Sequence, residues 1–240
     1  MVCYDGYILS HTVMPVEAPT QEQVDRFLPA YQPHTILDPA NPKNINQVTL
    51  ADPRLDERGE LCHGYMELRY LLEEALEASR NTILAVDKEY ESVFGRSCGG
   101  MLWEYRTDDA ELLFVAAGSL ASEASVAVDT LRGLGIAAGV VGVRVYRPFP
   151  NQELREALRR ARLVLVFDKS LSYGNEGPIC TDLKAALYGS KSAPAVQGYI
   201  AGLGGRDIKA REMAQVAQTA LQNLESGITP KPTEWLNCQI

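Results

Sequence analysis

The chain has 240 residues, 46% hydrophobic and 22% charged, with a formal net charge of −8. That length buries a core without disulfide staples. The acidic balance excludes a general nucleic-acid binder, which presents a basic face to phosphates. Cys3, Cys62, Cys98, Cys180 and Cys238 are scattered with no CxxC spacing, so the sequence predicts neither an iron–sulfur cluster nor another metal site on this chain alone. It shows no secretory signal and no run of about 18 apolar residues, so a cytoplasmic, membrane-free setting is expected.

Met1-Val2-Cys3 reads as a buried strand that starts without a lead-in, and Asp5-Gly6 supplies turn chemistry. A lone strand must pair with something. Either it joins the later sheet or its sheet lies in another piece of polypeptide. Pro15, Pro19, Pro29, Pro33, Pro39, Pro42 and Pro53 follow. They predict an extended arm laid on a surface through Phe27, Leu28, Tyr31, Ile36 and Leu37, with a disordered linker as the alternative. A short helix over Thr20–Phe27 is expected within it, with Thr20 as N-cap and Gln23 at the capping-box position. From Gly64 to Phe94 a stripe (Tyr65, Leu68, Leu72, Ala75, Ser79, Ile83, Val86, Tyr90, Val93), apolar but for Ser79, recurs every three or four residues. It predicts one long helix, roughly 45 Å at 1.5 Å per residue, stopped by Gly95.

The pattern then changes to short apolar runs alternating with helices. Strands are predicted at Glu111–Ala117, Ile136–Val145, Leu163–Phe167 and Pro194–Ile200, nearly continuous in apolar residues as in strands covered on both faces. The intervening helices are Leu120–Leu131 with Ser119 as N-cap, a helix capped by Asn151, and Ile179–Leu187. A final helix opens at Asp207 or Ile208. The fold class is therefore α/β, a doubly wound, mostly parallel sheet preceded by the arm and the long helix.

Ligands in such sheets favour the carboxyl ends of strands, where three loops lie: Gly118-Ser119, Asp168–Gly177 and Gly202–Asp207. In the third, Gly202, Gly204, Gly205 and Arg206 are candidates for an anion cradle at a helix start. The loop lacks the Lys-Ser/Thr ending of a nucleotide-binding P-loop. The alternative is a tight turn that lets two elements pack closely. Asp168 and Glu176 could form an acid/base pair, but acidic residues commonly end strands. His11, His34 and His63 all fall outside this half, which disfavours a self-contained nucleophilic triad.

DGYILSH (Asp5–His11) and PVE (Pro15–Glu17) resemble the DGFxxSH…PVE segment of the alpha chain of pyruvate:ferredoxin (flavodoxin) oxidoreductases, in the 2-oxoacid:ferredoxin oxidoreductase family. The likeness continues through VDKEYESVFGR (86–96), EYRTDDAELLFVAAGS (104–119), RVYRPFP (144–150), DKSLSYGNEGP (168–178) and IAGLGGRDI (200–208). It implies residues 1–62 as a remnant of the N-terminal pyrimidine-side domain plus arm. Residues 63–96 would be a connecting helix, and 104–240 a transketolase C-terminal-like domain (core domain II). It further implies a complex that converts a 2-oxoacid, best matched by pyruvate, to acyl-CoA, CO2 and reduced ferredoxin. That complex uses thiamine diphosphate, Mg2+, iron–sulfur clusters and coenzyme A, and contains beta, gamma and delta subunits or domains serving ferredoxin or flavodoxin. The family's thiamine-activating and substrate-contacting residues belong to the N-terminal domain and would lie upstream of Met1. No catalytic residue, metal ligand or cofactor of the complex is thereby assigned to this chain, which is expected to be an architectural part. Two alternatives stay open. One is a stand-alone module holding an anionic ligand such as coenzyme A at Gly202–Arg206. The other is the C-terminal domain of a transketolase or 2-oxoacid dehydrogenase beta chain.

Overall fold

A computed structural model describes residues 2–31, 48–50, 52–55, 59, 61–190 and 192–239. Met1 and residues 32–47 of the proline-rich arm, which include His34, Ile36 and Leu37, lie outside the described residues. The chain divides into two compact units. One joins residues 1–16 to 98–240, and the other spans 17–97.

In the second unit, helix α2 (Gln21–Phe27) carries the expected capping box: Thr20 Oγ1 accepts the Gln23 N–H, and Gln23 Oε1 accepts the Thr20 N–H. Strands β1 (Val48–Thr49), β2 (Arg54–Leu55) and β3 (Leu61–Gly64) form a small sheet in the order β1-β3-β2. Helix α3 (Tyr65–Phe94) runs the full 30 residues predicted and ends at Gly95, which takes the left-handed conformation with φ 71°. Phe27, Tyr90 and Phe94 pack edge-to-face and tilted against one another, tying α2 to the end of α3.

The first unit begins with a one-turn helix, α1 (Ile8–His11). Val2–Asp5 forms no strand here, and Val2 is exposed. The strand expected at Met1–Cys3 therefore finds no partner among the described residues. The unit continues through β4 (Leu102–Tyr105), β5 (Leu112–Ala116), α4 (Ser119–Gly133), β6 (Ala138–Val143), α5 (Asn151–Ala157), β7 (Leu163–Asp168), α6 (Pro178–Leu187), β8 (Ala195–Ile200), α7 (Ala210–Glu225) and β9 (Thr233–Trp235). The six strands lie in the order β4-β6-β5-β7-β8-β9, all parallel except β4, which is antiparallel to β6.

Every residue of β5, β6 and β7 is buried, because helices cover both faces. Leu112, Phe114, Leu165 and Phe167 pack with Leu120, Val128 and Leu131 of α4 and Met213 and Ala217 of α7. Helices α5 and α6 pack together, with α6 against β7 and β8. Each fully buried side chain of this kind contributes about 1.5–3 kcal/mol relative to its exposed state. Two predicted starts move. Asn151 is the first residue of α5 and Pro150 holds the cap position. Helix α7 begins at Ala210, because Lys209 is still extended and the Ala210 N–H is taken by Glu123 Oε1 at 2.6 Å. Among the described residues no helix is long and apolar enough to cross a membrane.

Candidate functional site

Strand β6 lies on one side of β5 and β7 on the other. The chain's winding therefore reverses between β5 and β7. In open α/β sheets the crevice at the carboxyl ends of such a strand pair is where ligands bind. Ser119 follows β5 and Lys169 follows β7, so the two flank this crevice.

The chain fills the crevice with its own carboxylate. Asp5 Oδ2 accepts the Ser119 hydroxyl at 2.7 Å and is ion-paired to the Lys169 ammonium, which also donates to Ser119 Oγ at 2.9 Å. The Asp5 side chain is only 6% exposed. Its second oxygen, Oδ1, accepts the Tyr7 N–H at 2.9 Å. The rest of the DGYILSH segment folds on itself to present that aspartate. The Ser10 hydroxyl donates to the Gly6 carbonyl at 2.6 Å and lies 2.8 Å from His11 Nδ1, and the Tyr7 ring stacks on His11. Ser119 is therefore not the N-cap expected from sequence. Gly118 holds that position at φ 58°, and the Ser119 hydroxyl is turned to Asp5.

The glycine loop lies beside this cluster as a single 3-10 turn, Leu203–Gly205. Gly202, Gly204 and Gly205 all have positive φ (75°, 63° and 78°). The Gly205 and Arg206 N–H groups are engaged by the Gly202 and Leu203 carbonyls. A Cβ on Gly205 would sit 2.3 Å from the Tyr7 ring, and one on Gly202 would sit 2.9 Å from Lys169 Cε. These glycines make room for Tyr7 and Lys169. The N-terminus of α7 is filled from within by the Glu123 and Glu212 carboxylates. A small pocket of about 60 Å3 remains between Ser119, Glu123, Lys169, Arg206 and Asp207. Gly205→Ala should push Tyr7 off the loop and raise amide deuterium uptake over residues 2–16. Gly204→Ala, which meets nothing within 4 Å, should show only the roughly 1–2 kcal/mol strain of a left-handed residue. Equal uptake in the two variants would refute this packing role.

Asp168 and Glu176 lie close together, as the acid/base reading required, but both are committed to helix α6. Asp168 Oδ1 and Oδ2 accept the Ile179 and Cys180 N–H groups at 3.0 and 3.1 Å. Gly177 is required there, since a Cβ would fall 2.1 Å from Asp168 Oδ2. Burial raises the Asp168 carboxyl to about 6, against the lowering effect of those two N–H bonds. Glu176 accepts the Lys184 ammonium at 2.5 Å and the Thr181 hydroxyl at 3.3 Å. Burial also pushes the Cys180 thiol up to about 12, so it is inert as a nucleophile at neutral pH. Among the described residues, no three His, Cys, Asp or Glu side chains come together as a metal site.

Residues 110–213 match the family model for pyruvate:ferredoxin oxidoreductase core domain II. Pyruvate synthase subunit PorA of Pyrococcus abyssi is 43% identical over 98% of this chain and 57% of that relative. The chain belongs to the alpha-chain family of 2-oxoacid:ferredoxin oxidoreductases. PorA of Methanothermobacter thermautotrophicus is 41% identical to this alpha-chain segment over 95% of it and 55% of the relative. The ketoisovalerate oxidoreductase subunit VorA of Pyrococcus horikoshii is 36% identical over 98% and 57%. The segment thus spans little more than half the length of these relatives. Among solved structures, a 2-oxoglutarate:ferredoxin oxidoreductase from Magnetococcus marinus covers 77% of this chain and 28% of its own, at 13% identity and TM-score 0.42. A split-gene transketolase covers 50% and 41%, at 21% identity and TM-score 0.41.

Proposed function

We propose that this chain is the C-terminal portion of the alpha chain of a pyruvate-type 2-oxoacid:ferredoxin oxidoreductase, and that its role is architectural. The observation that carries the reading is the Asp5–Ser119–Lys169 clasp. Where a doubly wound sheet ordinarily holds a ligand, this one holds the DGYILSH segment, which the family resemblance places at the junction with the pyrimidine-side domain. The crevice is thus a joint between domains. Thiamine diphosphate, Mg2+, the iron–sulfur clusters and coenzyme A act elsewhere in the assembly of beta, gamma and delta parts, and ferredoxin or flavodoxin receives the electrons there. The relatives include both pyruvate and ketoisovalerate enzymes. Pyruvate is the preferred substrate, since the PorA relatives match at higher identity.

Co-production with a polypeptide carrying the N-terminal alpha region and the other subunits tests this. Pyruvate- and coenzyme A-dependent reduction of methyl viologen should require this chain, and the chain should co-purify with the thiamine-bearing subunit. A chain that stays monomeric in that mixture, with activity indifferent to its presence, would overturn the proposal. Lys169 and Arg206 beside the 60 Å3 pocket motivate a second reading, an anion-binding module. Calorimetry with coenzyme A on the full chain separates the two, the architectural reading predicting no heat at millimolar ligand.

A further inference from the structure

The clasp separates into a receptor and an occupant. The receptor belongs to the sheet: Ser119 follows β5 and Lys169 follows β7. The Lys169 ammonium donates to Ser119 Oγ at 2.9 Å, a bond that does not involve Asp5. Gly202, after β8, leaves the space along which the lysine stem lies, since a Cβ there would fall 2.9 Å from Lys169 Cε and 3.3 Å from Cγ. Three strand ends therefore fix the receptor. The occupant comes from 114 residues before Ser119. Asp5 Oδ2 accepts the Ser119 hydroxyl and pairs with the ammonium, and the carboxylate is almost wholly withdrawn from water. An aspartate side chain is a methylene and a carboxylate, the heavy atoms of acetate. The crevice thus already holds an acetate-sized anion by charge-assisted hydrogen bonds, which are about twice as strong as neutral ones.

The surroundings set the class of anion. The adjoining pocket, which Ser119 and Lys169 share with Glu123, Arg206 and Asp207, measures about 60 Å3. That is space for roughly two to four water molecules. A carboxylate carrying a few further heavy atoms fits there, and a nucleotide or a coenzyme does not. Charge narrows the choice again. Lys169 and Arg206 are matched by Glu123 and Asp207 in the same lining, so a single negative charge reproduces the balance that Asp5 now provides. A dianion such as phosphate would bring a surplus charge against the Glu123 and Asp207 carboxylates.

We propose that Ser119 and Lys169 form a receptor for a short monocarboxylate of acetate size, for which Asp5 is the tethered competitor. The inference rests on the reading of the crevice as a joint, because the free acid opens that joint by taking the place of Asp5. The two fail separately: co-purification tests the joint, and small-anion binding tests the receptor. Saturation-transfer NMR on the full chain, observing the acetate methyl protons at an ionic strength held constant with chloride, tests the receptor. Asp5→Ala empties the seat, and far-UV circular dichroism checks that the sheet stays folded. Acetate should then bind saturably at millimolar concentration. The intact chain should bind it about tenfold more weakly or worse, since apparent affinity falls with the fraction of molecules whose seat is open. Adding Lys169→Met to Asp5→Ala should weaken binding about tenfold, the loss of one hydrogen bond to a charged group. Phosphate should leave the acetate signal in place. No saturable transfer to acetate from the folded Asp5→Ala chain would overturn the assignment. Equal affinity in the intact chain, unchanged affinity after Lys169→Met, or displacement of acetate by an equal concentration of phosphate would do so as well.

Discussion

Replacing Lys169 with Met is expected to free residues 2–16 from the sheet while residues 98–240 stay folded. Removing one partner of a buried ion pair costs about 3–5 kcal/mol when the other charge cannot leave. Here it can leave. Asp5 sits on a short segment whose other anchors are weak: Tyr7 is 53% exposed, and α1 is a single turn. Peeling off returns the carboxylate to water and limits the loss to the docking energy of that segment. The sheet core is made of β5 to β8 with helices α4 to α7 and does not depend on it. Hydrogen exchange should therefore show amides of 2–16 unprotected in Lys169→Met, with the β5 and β7 amides unchanged. Adding Asp5→Asn to that variant removes the stranded charge, and partial protection should return, giving the positive coupling expected of groups in contact. Unchanged protection in the single variant would show that the ion pair does not hold the segment.

Stability should fall as pH rises through about 6, in a way that Asp168→Asn abolishes. The Asp168 carboxyl is raised from its ordinary value of 3.8 to about 6, chiefly by burial. A carboxyl raised in the folded state binds its proton more tightly there than in the unfolded chain. Its stabilising contribution is complete below the unfolded value and is lost as pH climbs through the folded one. The full difference amounts to roughly 3 kcal/mol. Exposed carboxylates held low by arginine, Asp109 beside Arg132 and Asp129 beside Arg106, work in the opposite sense at lower pH. The comparison with the variant isolates Asp168 from them. Asparagine has one acceptor for two N–H donors, so a constant offset of about 1 kcal/mol is expected at every pH. The slope of the urea midpoint between pH 4 and 6.5 is the diagnostic quantity. Parallel slopes for the two proteins would rule out Asp168 as the source.

The parallel strands were legible because burial on both faces leaves a continuous apolar run, as in LLFVA and LVLVFD, and the helices between them show their own period. The sheet's two edges were not. β4 reads LWEY and β9 TEW, short mixtures of polar and aromatic residues that periodicity cannot separate from loop. Asp5 and Ser119 were both singled out from sequence, but for local roles in a turn and a cap. Their shared role depends on a contact across 114 residues, for which a single sequence carries no local signal. The glycine loop showed the opposite problem. Its composition pointed to an anion, whereas the atom that needs the space in front of Gly205 belongs to Tyr7.

The Asp5–Lys169 pair joins residues 164 apart. At about 5–20 residues per second, a ribosome needs roughly 10 to 30 s to reach the lysine after making the aspartate. During that interval the seat of the DGYILSH turn on this sheet is incomplete, and β5 and β6 can form before β7 supplies the second wall of the crevice. The clasp is therefore a late event in biogenesis, closing only after the sheet that receives it.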